Sequence, residues 1–361
     1  MLSKKLFHNL SFCLWLVAAA VAAQAQSSRE ASAASYLERG NEWLAKGELD
    51  RAIADYDLAI AFDSRVAVAY HNRCLARQRK GDLAGALGDC NRAIELDPRY
   101  AEAYLNRGVV HGALGDFDAA INDYSKMIEI NPRDARAWGN RGTARGQQGN
   151  DADAITDFNQ AIKLDSRKAN AWSNRCYARY RQGALDAALA DCDRALKLDS
   201  HIATIWKNRG LARQEKGDLD GAISDFDRAI ALDPQIAEFY SNRGRAWLMK
   251  SEFERALDDF NHALLLNPKL AEAWNHRGVV WLADQQIARA ITDFNEALKL
   301  SPRLAEAYVN RGLAWLMQDR LAEAEADFAK CRELGGAIKP EAKCLLREAR
   351  ERRARAILRE R

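Results

Sequence analysis

At 361 residues the chain exceeds what one hydrophobic core usually supports, so it forms several domains or an elongated array. Hydrophobic residues at 48%, charged residues at 29% and only 6 prolines exclude a disordered chain. The formal charge of +3 is uneven: residues 339–361 carry nine Lys and Arg against four Glu, Lys4 and Lys5 add two more positive charges, and the body between is acidic at −4. That balance argues against a nucleic-acid-binding body.

Lys4 and Lys5 precede an apolar run from Leu10 to Ala23, and Ala23-Gln24-Ala25 puts small residues where a signal peptidase needs them. This is the pattern of a secretory signal peptide over residues 1–25, cut after Ala25, followed by a short arm at 26–32. The apolar run is short for a membrane span, and Cys13 lies within it rather than after a cleavage site, which argues against a lipoprotein. The expected destination is the periplasm or the exterior, where six cysteines remain in the mature chain and meet an oxidising environment.

From residue 33 onward a strict period organises everything. Arg39, Arg73, Arg107, Arg141, Arg175, Arg209, Arg243, Arg277 and Arg311 follow one another at intervals of 34 residues with no insertion or deletion. Nine repeats therefore fill 33–338, at 33–66, 67–100, 101–134, 135–168, 169–202, 203–236, 237–270, 271–304 and 305–338. Numbered within each repeat from its first Ala, position 4 is always Tyr or Trp, position 20 always Ala, and position 24 aromatic in seven of the nine. Positions 4, 8 and 11 share one face of a helix, and 20, 24 and 27 share one face of a second, so each repeat predicts a helical hairpin with a common core. Gly at position 15 marks the turn in six repeats, and Asp-Pro or Asn-Pro ends four of the hairpins. Arg at position 7 and Asp at position 23 recur in all nine and predict an ion-pair ladder that sets register.

The period and the aromatic, Gly, Ala and Pro positions resemble the tetratricopeptide repeat over most of the chain. The resemblance implies an all-α, right-handed superhelical solenoid closed by a C-terminal capping helix at 339–361. It also implies a concave, partner-binding surface.

Position 8 is Gly in seven repeats and Cys in two, while position 24 is aromatic in seven and Cys in the same two. In an antiparallel hairpin turning near position 16, these positions face each other. Disulfides Cys74–Cys90 and Cys176–Cys192 are expected, and the symmetry of Cys331 and Cys344 about Gly335-Gly336 extends the expectation to a third. Buried free thiols are the alternative. A zinc site is weakly suggested by His71 beside Cys74, but no repeat gathers four ligands, so no metal is expected.

On the first helix, positions 2, 6, 9 and 13 lie opposite the core stripe. Position 6 is Asn in seven repeats: Asn72, Asn106, Asn140, Asn174, Asn208, Asn242 and Asn310. Asn costs roughly 0.5 kcal/mol against Ala inside a helix, so its recurrence needs a reason. A row of amides can bond to an extended peptide backbone, an arrangement similar to the asparagine ladder in the repeat domain of O-linked N-acetylglucosamine transferase and matched at position 6 only. Bonding between repeats, or survival from duplication, is the alternative. Arg136, Tyr177 and Arg181 add polar groups to this face, and Val279, Leu313 and Met317 make its far end apolar.

No metalloprotease helix motif, phosphate loop or nucleophile elbow occurs, and repeat or cap accounts for nearly all of the mature chain. The sequence thus predicts a non-enzymatic interaction scaffold without a cofactor, binding a protein or extended peptide in its groove. A structural adaptor working through its convex face and ends, and a membrane tether working through the basic terminal helix, are the alternatives.

Overall fold

The computed structural model describes residues 2–338 and 340–359, which form nineteen α-helices with no strand among them. Met1, Lys339, Glu360 and Arg361 lie outside the described residues, as do the side chains of residues 2–18, 20, 22, 25, 341, 354 and 356–359, which take in most of the apolar run of the expected signal peptide. The chain forms two compact units, residues 1–167 and 168–361.

The N-terminal unit contains α1 (Leu2–Ala45), α2 (Leu49–Phe62), α3 (Ala67–Lys80), α4 (Leu83–Leu96), α5 (Ala101–Ala113), α6 (Phe117–Ile130), α7 (Ala135–Gln147) and α8 (Asp151–Leu164). The C-terminal unit contains α9 (Ala169–Arg181), α10 (Leu185–Leu198), α11 (Ala203–Glu215), α12 (Leu219–Leu232), α13 (Ala237–Met249), α14 (Phe253–Leu266), α15 (Ala271–Ala283), α16 (Ile287–Leu300), α17 (Ala305–Met317), α18 (Leu321–Glu333) and α19 (Pro340–Arg359). Within each unit, consecutive helices pack as antiparallel hairpins, and first helices of successive repeats touch, as α3 touches α5 and α13 touches α15. Residues 26–32 do not form a separate arm. They are part of α1, because nothing between Leu2 and Arg39 is Pro or Gly to interrupt the helix.

Local chemistry explains the helix ends. Asp82, Asp116, Asn150 and Asp218 accept from the backbone N–H three residues on and cap the second helices of their repeats. At position 31 an Asx side chain turns the chain out of the hairpin: Asp97 Oδ1 accepts from the Arg99 N–H at 2.9 Å, and Asp165 Oδ1 from the Arg167 N–H at 3.0 Å.

The core differs in part from the expected stripe. Positions 8, 20, 24 and 27 are buried, but on the first helix Ala at position 10, and at position 3 in every repeat that has it except at Ala171, is buried while the position-4 rings are half-buried. Those rings serve as platforms. Each lies under the Arg at position 7, at 4.8 Å for Arg141 over Trp138 and 4.7 Å for Arg277 over Trp274. Their polar ends reach back to the preceding repeat, as where Trp274 Nε1 donates to the Pro268 carbonyl at 2.9 Å. Glycine at position 8 lets the second-helix aromatic come close: a methyl group on Gly210 would stand 2.7 Å from Phe226 Cε1.

The Arg–Asp ladder is complete. In all nine repeats the position-7 guanidinium makes a paired bond to the Asp at position 23, for example Arg209 Nε and Nη2 to Asp225 at 2.9 and 2.7 Å. Its remaining nitrogen donates to position 25 of the preceding repeat, as with Arg107 to Asn91 at 2.8 Å and Arg243 to Asp227 at 2.6 Å. Position 11 joins the same cluster: Arg77, Arg145 and Arg179 donate to Asp89, Asp157 and Asp191 at 2.8, 2.8 and 2.7 Å. Where position 11 is Trp, a neighbouring Arg lies over the indole, as Arg255 does over Trp247 at 4.7 Å.

Cys74 faces Cys90, and Cys176 faces Cys192, at disulfide distance with Cα atoms 5.5 Å apart in each pair. The expected third pair does not form. Cys331 is buried in the core of repeat 9, whereas Cys344 is exposed on α19. The buried α19 residues in that core are Ala342 and Ala349. Cys344 lies two residues beyond Ala342, roughly 200° around the helix and so on its outer side. The mirror rule fails because α19 follows α18 through a different connection from the hairpin turn.

At position 15, six glycines adopt φ between +75° and +87°, but Ser251, Gln285 and Asp319 hold φ of 61°, 56° and 57° in repeats 7, 8 and 9. The left-handed region costs a residue with a Cβ roughly 1 kcal/mol. Gln285→Gly is accordingly expected to raise stability by about 1 kcal/mol, less the added freedom of the unfolded chain. A urea titration in which Gln285→Gly lowers the midpoint, while Gly217→Ala leaves it unchanged, contradicts this account.

Candidate binding groove

The asparagines at position 6 do not have one common role. Asn106 Nδ2 donates to His71 Nε2 at 2.7 Å, Asn208 Nδ2 to the Ser173 hydroxyl at 3.1 Å and carbonyl at 3.2 Å, and Asn310 Nδ2 to Asn275 Oδ1 at 3.0 Å. Each of these partners sits at position 5 of the preceding repeat, and the three junctions are spaced three repeats apart. The bond to Nε2 leaves the proton of His71 on Nδ1, 3.0 Å from both Asn72 Oδ1 and the Tyr100 hydroxyl. Asn72 in turn donates to Asn41 at 2.7 Å. These amides join neighbouring repeats. Asn140 and Asn174 are half-buried, and Asn242 lines a cavity.

Arg136 belongs to a local cluster, donating to Asp134 at 2.6 Å and also to Glu102. Those bonds raise its pKa, the bond to Asp134 foremost. Arg181 is exposed on α9. Tyr177 lies in the C-terminal unit and lines the same cavity as Asn242.

That cavity, of about 320 Å³, is walled by Tyr177 and Tyr180 from α9, Lys207 and Leu211 from α11, Ser241, Asn242 and Arg245 from α13, and Glu272 from α15. A second cavity of about 610 Å³ adjoins it, and Lys207 and Glu238 line both. Arg245 is already engaged, donating to Glu215 at 2.6 Å. Lys207, Glu238 and Glu272 take part in no ion pair or hydrogen bond among the described residues. Lys207 Nζ instead lies 4.9 Å from the centre of the Tyr177 ring, and burial lowers its pKa against the opposing pull of Glu238. The site is therefore a polar recess that holds charge of both signs, Lys207 half-buried and Glu238 and Glu272 exposed, without a direct ion pair.

Positions 2, 6, 9 and 13 point to Tyr177, Glu238, Asn242, Arg245 and Glu272, but not to Lys207 and Tyr180, at positions 5 and 12. A signal was present for the former: Lys207 is the only Lys at position 5, where the other repeats have Leu, His, Gly, Ser, Asn or Val. Among the described residues, no three His, Cys, Asp or Glu side chains are grouped to hold a metal ion.

His276 takes the Asn position in repeat 8. Its ring packs on Phe260 with centroids 5.9 Å apart, its Nδ1 is buried without a partner, and burial, aided by the charge of Arg245, pushes its pKa down to about 4. Between pH 4 and the ordinary value of 6.5 the unfolded chain binds the proton that folded His276 refuses, so stability falls as pH falls through this window. Replacing it as His276→Asn is expected to remove on the order of 2 kcal/mol of that loss. Urea midpoints at pH 7 and pH 4.5 measure it, and an equal drop in both proteins rules out the assignment.

Family models described as tetratricopeptide repeat match residues 175–245, 101–134 and 271–304, and one described as TPR repeat matches 76–115 and 144–183. A model for the protein prenyltransferase alpha subunit repeat matches 253–283. No curated protein matches the chain. Among solved structures, the chain is similar to the APC/C hetero-tetramer Cut9-Hcn1, at 19% identity and a TM-score of 0.62 over 77% of this chain, spanning 55% of the length of that one. It is also similar to a tetratricopeptide repeat protein from Parabacteroides merdae, at 20% identity and a TM-score of 0.58, covering 69% of this chain and 98% of that one.

Proposed function

Since the chain belongs to the tetratricopeptide repeat family, whose members are interaction scaffolds, we propose that it is a non-catalytic scaffold of the cell envelope that holds an extended segment of a partner protein against the first-helix face of its C-terminal unit. One observation carries this reading. The recess at Tyr177, Lys207, Asn242 and Glu272 groups the half-buried Lys207 with the exposed Glu238 and Glu272, and no ion pair or hydrogen bond joins any of the three to a partner among the described residues. A partner segment carrying both an acidic and a basic group offers the missing counterparts, and Asn242 can bond to its backbone.

The envelope location rests on the signal-peptide pattern at residues 1–25. No helix among the described residues is long and apolar enough to cross a membrane. The alternative of a tether through the terminal helix gains less support. Ala342 and Ala349 of α19 are buried in the core of repeat 9, and Arg350 bonds to Glu325 at 2.6 Å, so part of that helix serves as a cap.

Two experiments test the reading. In a peptide array of mixed-charge sequences, the binders of the mature protein are expected to lose about tenfold or more in affinity to Lys207→Ala, the cost of one charged hydrogen bond. Lys163→Ala, on the exposed end of α8, serves as the control. Equal loss or no loss in both variants removes the recess from consideration. Fusing residues 1–32 to a reporter active only outside the cytoplasm is expected to give activity and a processed N-terminus at Gln26, and an inactive, unprocessed fusion overturns the location.

A further inference from the structure

We infer that Lys207 is a reactive lysine, a modification site where small activated acyl donors such as aryl esters, anhydrides and acyl phosphates transfer their acyl group to the protein. The inference does not depend on the partner-binding reading.

Two requirements limit lysine acylation in folded proteins, a free amine lone pair and a path for the reagent. Several lysines here fall short of the first. Lys80 and Lys216 are held by Asp50 and Asp186 at 2.5 Å, Lys330 by Glu333 at 2.6 Å, and Lys250 by Asp220. The bond to Glu333 raises the pKa of Lys330 and keeps it protonated. Lys207 has no such carboxylate. Its Nζ rests over Tyr177, whose ring favours the cation but offers no lone pair to accept the ammonium hydrogens. The charged groups lining the same two cavities are Asp233 at the end of α12, Glu238 and Arg245 from α13 and Glu272 from α15, with Tyr177 and Tyr180 on α9. Of these, Glu238 pulls toward the charged form, and burial outweighs it. The second requirement is met by the two cavities that Lys207 lines, of about 610 and 320 Å³, both large enough for a small acyl reagent.

The step balances without any other reactant. The ammonium gives one proton to solvent, the Nζ lone pair forms a C–N bond at the acyl carbon, and the C–O bond to the leaving group breaks with its electron pair on the departing oxygen. The second nitrogen proton passes to that oxygen or to water. An amide results, the positive charge is lost, and the contact with Tyr177 no longer includes a cation.

The mature full-length protein is treated with a limiting amount of a water-soluble aryl acetate at pH 7, and acetylation is quantified for each lysine by peptide mass spectrometry. Lys207 is expected to acetylate several-fold faster than Lys163, Lys197 and Lys269, which are exposed and carry no ion pair. The preference should vanish in urea, where the recess is gone, and narrow at pH 10, where the exposed amines also become neutral. A rate at Lys207 no greater than at the three exposed lysines overturns the inference. So does a preference that persists in urea, where no recess remains to produce it, or one that is undiminished at pH 10, which reagent capture alone would then explain.

Discussion

The guanidinium at position 7 is the interaction on which the remainder of the array depends. It lies over the ring at position 4, bonds in paired fashion to Asp at position 23 across its own hairpin, and reaches back to position 25 of the preceding repeat. The Asp is almost wholly buried, at 1% exposure for Asp157 and Asp225, so it requires that partner. Removing one member of such a pair costs about 3–5 kcal/mol, because the other charge is left without compensation. The first repeat shows what the backward bond contributes: with no earlier repeat before it, the Arg39 side chain is 54% exposed, against 14% for Arg73. Register within a hairpin and between hairpins is therefore set by one residue type, which explains why it does not vary.

Around that constant, other positions vary in matched sets. Glycine at position 8 goes with an aromatic at position 24, and cysteine with cysteine, since either combination fills the space between helices that approach closely there. Arg at position 11 extends the Asp cluster, while Trp at position 11 accompanies an Arg stacked over it. Each set satisfies the same local geometry through different chemistry. A single member exchanged alone leaves either a void or an unpaired charge.

The row of asparagines follows the same logic and leads to the functional surface. At every third junction the amide is bonded to a polar side chain of the preceding repeat, so its recurrence there is explained by the stack itself. The recess in the C-terminal unit differs because Lys207, Glu238 and Glu272 have no counterparts within the fold. Half-burying the Lys207 ammonium without a direct ion pair costs stability, and that cost is what separates a candidate site from the structural ladder around it.

The sequence alone determined the helical hairpin, the Arg–Asp ladder and the facing of Cys74 with Cys90 and Cys176 with Cys192. These follow from a period of 34 residues repeated without error and from the angular spacing of a helix, both local and one-dimensional. What it did not contain was anything that depends on which neighbour a side chain meets. Position 4 was expected in the core and proved a half-buried platform, because the Arg above it had to be placed first. Cys331 and Cys344 part company because the connection into α19 does not repeat the hairpin geometry. Lys207 lay outside the expected stripe, and its significance rests on the absence of a counter-ion, which only the tertiary arrangement of α9, α11, α13 and α15 decides. Periodicity specifies what recurs, whereas the site is built from what does not, and its chemistry becomes visible only when the packed helices show which charges have been left without partners.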